Sequence, residues 1–354
     1  MNLTKSQTDI VVADSFEELN YNQKRQFLCA ADEKHAEHTK YADMLIKSLG
    51  GGVYNKLIAK FTNGDYRSRL IDGLEERGIT CVTAGGECYP RLLEHIPVPP
   101  LVLYCRGNTQ LLKGDCFGIV GSRRTSAATI AACKRISGEV SRHMTVVTGI
   151  ADGADTAAVR GALPSGNVVC VLPGGHDKMP SSAEGMLREV EDRGVTISEW
   201  QPHVSVLRYM FTVRNRVIAG MCRGVLVVSA PKRSGALITA GYAADYGREV
   251  FALPHSIGIT SGEGSNALIK NGAALCQGAE DILAAFGLES RTGHSDLTAE
   301  ERQIISYLRE NGSAHIQHIA AAVGIKVFQA VTILSALEIK GLAVRSGGNN
   351  YTAV

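Results

Sequence analysis

FTVRNRVIAGMCRGVLVVSAPKRSGALIT, residues 211 to 239, decides the fold class. The run opens with Phe211, Arg214, Asn215 and Arg216, continues as an apolar helical segment from Val217 to Met221, and enters a β-rich apolar strand from Gly224 to Val228. Lys232, Arg233, Ser234, Gly235 and Thr239 follow. An apolar strand that closes in a Gly/Ser turn and opens into a helix is one βα unit of a parallel sheet, and open α/β sheets bind ligands outside the carboxyl ends of their strands. Cations, small hydroxyls and helix N-terminal amides gathered at such an end favour an anionic, phosphate-bearing ligand. Taken singly, each residue has a plainer reading, the arginines as solvated charges and Ser234-Gly235 as a helix cap. Their concentration at one strand end is what points to a site.

Working outward, six more strands are expected in the same domain: Cys116 to Val120, Thr145 to Thr148, Val168 to Leu172, Val195 to Ile197, Val250 to Leu253 and Ala273 to Leu275. Helical stretches separate most of them, and continuous apolar strands alternating with helices predict a parallel sheet covered on both faces. Small polar loops follow the strands: Gly121-Ser122-Arg123-Arg124, then Thr148-Gly149, then Pro173-Gly174-Gly175 with Lys178, and finally Pro254-His255 leading to Ser265-Asn266. On one rim of a parallel sheet they are expected to form one long groove, glycines letting the backbone approach a ligand.

The fold expected is α/β, a Rossmann-like, doubly wound, mostly parallel sheet, with a helical N-terminal domain and a C-terminal winged helix. The boundaries fall at 1–80 (helical), 81–112 (strands and turns covering an edge of the core), 113–290 (core) and 291–354 (winged helix), with the polar segment 290–295 as linker. Within the first domain, YADMLIKSLGGGVYNKLIAKF reads as two short amphipathic helices joined by the glycines at 50 to 52, a plain helical hairpin rather than a DNA-contacting one. In the last, helices from Ala299 to Arg309, His315 to Val323 and Val327 to Lys340 precede a hairpin. Val327, Val331, Leu334 and Leu337 of the third helix are assigned to that domain's core. From Asp296 onward five Lys/Arg balance five Asp/Glu, which favours protein contact over DNA reading.

The chain has 354 residues, 45% of them hydrophobic, and a net charge of +2, so nucleic-acid binding would have to come from local clustering. Nine scattered cysteines form no C-x-x-C pair and no zinc-like spacing with histidine, and are expected to be reduced and mostly buried. No signal-like segment and no run approaching eighteen apolar residues is present, which predicts a cytosolic protein without a membrane span.

These motifs resemble the DprA/Smf family of DNA-processing proteins over nearly the whole chain. The resemblance is carried by Tyr89-Pro90, Pro99-Pro100, Val120-Gly121-Ser122-Arg123, Gly149-Ile150-Ala151-Asp152-Gly153 and Ser198-Glu199, together with Arg214-Asn215-Arg216, Ser234-Gly235 with Thr239-Ala240, and Ser265-Asn266. It implies a homodimer that binds single-stranded DNA on the Rossmann-like core and delivers it to a RecA-type recombinase, with Arg123, Arg214 and Arg216 in the strand pocket. The chain departs from the family pattern at Met179-Pro180, Ser229, His255 and Ala157-Ala158, which bears on the pocket lining and not on the fold.

The nucleic-acid-binding residues expected are thus Gly121, Ser122, Arg123, Arg124, Gly149, Gly175, Lys178, Arg214, Asn215, Arg216, Lys232, Ser234, Gly235, Thr239 and Asn266, with no catalytic residue, metal or cofactor. Binding should show little base preference, and alanine at Arg123 or Arg214 should weaken it while leaving the melting temperature nearly unchanged. Three other functions make different demands. A nucleotide phosphoribohydrolase would need a carboxylate placed just after the Pro-Gly-Gly loop, where His176-Asp177-Lys178-Met179-Pro180 stands and Glu184 comes late. A nicotinamide or flavin enzyme would need G-x-G-x-x-G after the first core strand, which is absent. A ligand-sensing winged-helix regulator would need a cationic reading helix.

Overall fold

A computed structural model describes residues 3–288, 297–339 and 342–353. Five helices open the chain: α1 (Lys5–Asp14), α2 (Tyr21–Ala31), α3 (His38–Leu49), α4 (Gly51–Thr62) and α5 (Gly64–Glu76). The expected pair of amphipathic helices is α3 and α4, which meet at Gly50 with φ of +86°. Thr4 and Asn20 cap α1 and α2 through capping boxes closed by Gln7 and Gln23. Phe16, Phe27, Leu45, Leu57 and Phe61 form the core of this region. Val11 of α1, with Leu74 and Ile79, packs instead on Cys81, Val102 and Tyr104, and the Tyr104 hydroxyl donates to Asp14 Oδ2 at 2.8 Å.

The next strands are β1 (Thr80–Thr83) and β2 (Val102–Gly107), followed by β3 (Cys116–Gly121), α6 (Ala127–Val140), β4 (Thr145–Thr148), α7 (Ala154–Ala162), β5 (Val168–Val171), α8 (Ser181–Arg193), β6 (Val195–Ser198) and α9 (Met210–Met221). The core closes with β7 (Gly224–Ser229), α10 (Gly235–Asp245), β8 (Glu249–Ala252), α11 (Glu263–Lys270), β9 (Ala274–Leu275) and α12 (Ala279–Ala285). All nine strands form one sheet, in the order β1-β2-β6-β5-β4-β3-β7-β8-β9. β3 to β9 pair in parallel, whereas β2 joins β6, and β1 joins β2, antiparallel. The segment 81–112 therefore does more than cover an edge: it extends the core sheet by two strands.

Each face of the sheet has its own hydrophobic core, and β7 shows why its sequence is continuously apolar. Val225 and Val227 point to the face covered by α9 and α10, Leu226 and Val228 to the face covered by α6, α7 and α12, so no position meets water. Small residues on α7 let it lie close to α6, where Ser137 Oγ donates to Ala158 O at 2.6 Å. Seven of the nine cysteines are buried in and around these layers, and burial pushes the thiols of Cys116, Cys133 and Cys170 up to about 12. No single helix among the described residues is long and apolar enough to cross a membrane.

The C-terminal unit contains α13 (Ala299–Asn311), β10 (Ala314–His315), α14 (Ile316–Val323), α15 (Val327–Ile339), β11 (Ala343–Gly347) and β12 (Asn350–Ala353). The expected three helices and hairpin are present, and β10 completes a small antiparallel sheet in the order β10-β12-β11. Leu334 and Leu337 enter its core as expected, but Val327 and Val331 do not: they are 44% and 45% exposed, beside an exposed Phe328. Counting apolar residues does not reveal which face of α15 meets α13 and α14. The segment 290–295, the boundary at 290/291, Asp296 and Lys340 lie outside the described residues.

Candidate functional site

The chain runs from β3 outward to β6, then returns to place β7 on the other side of β3. That reversal opens a crevice at the carboxyl ends of β3 and β7, the position where doubly wound sheets take their ligands. A cavity of about 1120 Å³ lies there. On one side is the loop after β3, pinned to β7 by the Ser122 amide, which donates to Ser229 O at 2.9 Å. Ser122 Oγ accepts from the Arg124 amide at 3.2 Å, curling the loop so that Arg123 and Arg124 are exposed. Gly153, at φ of +81°, brings the start of α7 against this loop; a Cβ there would lie 2.6 Å from Ser122 O.

Opposite stands the N-terminus of α10. Ser234 caps it, its Oγ accepting from the Ala236 amide at 3.2 Å, and Asn215 Nδ2 donates to Gly235 O at 3.2 Å from α9. Thr239 lies one turn in, its hydroxyl donating to Gly235 O at 3.3 Å. The third wall is apolar, built from Val206, Leu207, Phe211 and Ile218, and the Arg123 guanidinium sits 5.3 Å from the Phe211 ring centroid.

Of the fifteen residues expected from sequence, eight line this cleft: Gly121, Ser122, Arg123, Arg124, Asn215, Ser234, Gly235 and Thr239. The others lie elsewhere. Arg214 is only 5% exposed and donates from Nη1 to Val171 O at 2.6 Å, beneath the rim. Gly149 is glycine because a side chain there would collide with the Arg214 guanidinium and the Asp155 carboxylate. Arg216 is held by an ion pair with the half-buried Glu199 and a 2.6 Å bond to Val98 O. Asn266 braces the loop after β8 by two hydrogen bonds with the His255 backbone, at 2.9 and 2.8 Å. Lys232 is exposed outside the lining, 3.8 Å from Glu263. Gly175 is packed under the Gln201 and Pro202 carbonyls, and Lys178 follows it on the exposed turn after β5.

The rim is thus divided, and the single long groove is not formed. The loop after β5 borders a separate cavity of about 480 Å³, lined by Arg106, His176, Asp177, Glu184, Arg188 and Glu191. Most of its charges are mutually engaged: Asp177 pairs with Arg106 at 2.7 Å and Arg77 at 3.2 Å, and Glu184 with Arg188, while Glu191 accepts from the Thr196 hydroxyl at 3.0 Å. His176 is buried beside Thr196, and burial, with the nearby Arg106, drops its imidazole to about 4.

Three contributors to the main cleft are missing from those fifteen residues, although the run from Phe211 to Thr239 already contained one of them, Arg233. Arg208 and Arg233 are both exposed at its mouth, and among the described residues no ion pair engages them or Arg123 and Arg124. The arginine set between Leu207 and the aromatic Tyr209, close to Phe211, was the available signal for the first. The third is Asp155, on the floor in the first turn of α7, whose carboxyl is raised to about 6 by burial, against the opposing pull of Arg214.

Comparison with known proteins follows the same lines. The family described as DNA recombination-mediator protein A matches residues 80–287. The DNA processing protein DprA of Streptococcus pneumoniae is 37% identical over 202 residues, covering 56% of this chain and 72% of that protein. Protein Smf of Escherichia coli is 36% identical over 224 residues, 61% and 59% of the two chains. The X-ray structure of the Streptococcus pneumoniae protein superposes with a TM-score of 0.67 at 29% identity, covering 80% of this chain and 98% of that one. The Helicobacter pylori DNA processing protein A, whose structure concerns a single-stranded DNA binding mode, shares the fold at a TM-score of 0.54 and 24% identity, over 59% of this chain and 95% of that one.

Proposed function

This chain belongs to the DNA recombination-mediator protein A family, and from that premise we propose that it binds single-stranded DNA in the cleft between the ends of β3 and β7. The observation that carries the reading is the ring of four exposed arginines, Arg123, Arg124, Arg208 and Arg233, around a cleft that also offers the α10 N-terminus and an aromatic wall. Phosphates are drawn by unpaired cations and helix N-terminal amides, and unstacked bases by ring faces. The described ligand of the Helicobacter pylori relative is of this class. Acting in the cytoplasm, the protein would hold the strand and pass it to a RecA-type recombinase. It would do so as a homodimer and without turnover: Asp177 and Glu184, the carboxylates nearest the Pro-Gly-Gly loop, are both tied to arginines.

Anisotropy titrations of single strands and duplexes across salt test this. Single strands should bind more tightly. Arg123→Ala and Arg233→Ala should each weaken binding and reduce the slope of log K against log salt by roughly 0.7 for each phosphate no longer neutralised. Unchanged affinity in both variants would remove the cleft from the reading.

A further inference from the structure

Phosphate binding leaves one group in the cleft unexplained. Asp155 is 7% exposed and lines the cavity, a buried carboxylate on the floor of a site whose rim is cationic. Its Oδ2 accepts from the Ala151 amide at 3.2 Å. No hydrogen bond occupies Oδ1 among the described residues, and that atom is not among those sealed from solvent, so it opens on the cleft. The charged and titratable groups around the carboxylate are Arg214 from α9, Arg123 from the loop after β3, and the thiols of Cys133 and Cys170 from α6 and β5.

An ionised carboxylate repels phosphate, so a strand whose backbone lies along the arginines would turn its bases, not its phosphates, toward this floor. The apolar wall of Leu207, Phe211 and Ile218 fits a base face there. A carboxylate only accepts hydrogen bonds, and bases differ in what they can donate. Cytosine, adenine and guanine carry amino groups; thymine offers a single N–H between two carbonyl oxygens, whose lone pairs face the carboxylate unfavourably.

Resting on the strand-binding reading of this same cleft, we propose that Asp155 determines base specificity, its Oδ1 accepting a hydrogen bond from the amino group of a cytosine, adenine or guanine drawn into the cleft. The protein then prefers amino-bearing strands to thymine, in place of the base-indifferent binding that the sequence suggests. At pH 7.5 the carboxyl is predominantly ionised, as the acceptor role requires.

The test is anisotropy at pH 7.5 with the full chain and three strands: oligo-dC, the same strand built from 2-pyrimidinone, which is cytosine without its amino group, and oligo-dT. Oligo-dC should bind about tenfold more tightly than either of the others, within the range of one base-edge pairing. In Asp155→Asn the amide can donate to a thymine carbonyl as readily as accept from cytosine, so oligo-dC and oligo-dT should converge to within about twofold. Equal binding of oligo-dC and the pyrimidinone strand by the native protein overturns the proposal, whether or not the variant folds. So does an undiminished preference in a folded Asp155→Asn. Binding of none of the three strands overturns the strand-binding reading with it, which separates the two failures.

Discussion

Arg123 and Arg214 carry the same charge and belong to neighbouring motifs, yet the structure gives them opposite roles. Arg123 stands in solvent over Phe211, whereas Arg214 is sunk under the rim, its guanidinium spent on Val171 O and on the field of Asp155. Equal, stability-neutral effects of their removal are therefore not expected. Arg214→Ala should destabilise the fold by about 3–5 kcal/mol in urea unfolding, because it strands a buried carboxylate, while Arg123→Ala should leave the midpoint unchanged and show its effect only in binding. The sequence held a hint: Arg214 sits four residues before Ile218 and seven before Met221, on the apolar stripe of α9. His176 supplies a pH dependence. Its folded imidazole titrates at about 4, below its ordinary 6.5, so the unfolded chain takes up the proton first as pH falls. The stability it contributes is full above 6.5 and lost on the way down through 4, on the order of 3 kcal/mol. Asp155, raised from 3.8 to about 6, acts in the opposite sense over that range. Urea midpoints at pH 7 and 4.5 should therefore converge more in His176→Gln than in the native protein; an identical loss in both would clear His176 of the role.

Among the elements, the core strands β3 to β7 were legible because a strand buried on both faces can only be an apolar run, and they lie where those runs stand. Which strand ends meet was not legible. Gly175 and Lys178 follow β5, two strands away from β3, and strand order is set by packing over the whole sheet rather than by any local residue pattern. The same limit hid the faces of α15, whose Val327, Phe328 and Val331 turn outward instead of joining Leu334 and Leu337. That outer face has apolar groups and no cation between Lys326 and the end of the described helix. A helix so composed adds little counterion release. Deleting residues 291–354 should accordingly leave single-strand affinity within a few-fold of the full-length value. A tenfold loss, with the remaining core still folded by circular dichroism, would make the C-terminal unit a DNA-binding module.

Across the whole molecule, the two edges of the sheet are treated differently. On the β1 side, α1 lays Val11 against Cys81, Val102 and Tyr104. On the β9 side the last strand is only two residues long with Leu275 exposed, while Ile257 and Ile259 are exposed on the loop after β8 and Ile238 on α10, which packs on β8. An apolar border of this kind is where the proposed second copy would sit. Leu275→Asp should shift sedimentation equilibrium toward monomer without altering the strand affinity of a single cleft; a variant that sediments as the native protein does would move the contact elsewhere. The two-layered interior has one more consequence. Thiols held near 12 are thiolate in about one molecule in a hundred thousand at neutral pH, and alkylating reagents attack only thiolate. Cys133 and Cys170 lie in the layer under α6 and α7, Cys222 in the layer under α9, so each stays silent until its own layer parts from the sheet. The rate at which iodoacetamide finds them becomes a clock for that parting, readable peptide by peptide in a mass spectrometer, with half-buried Cys29 and Cys88 as the fast hands.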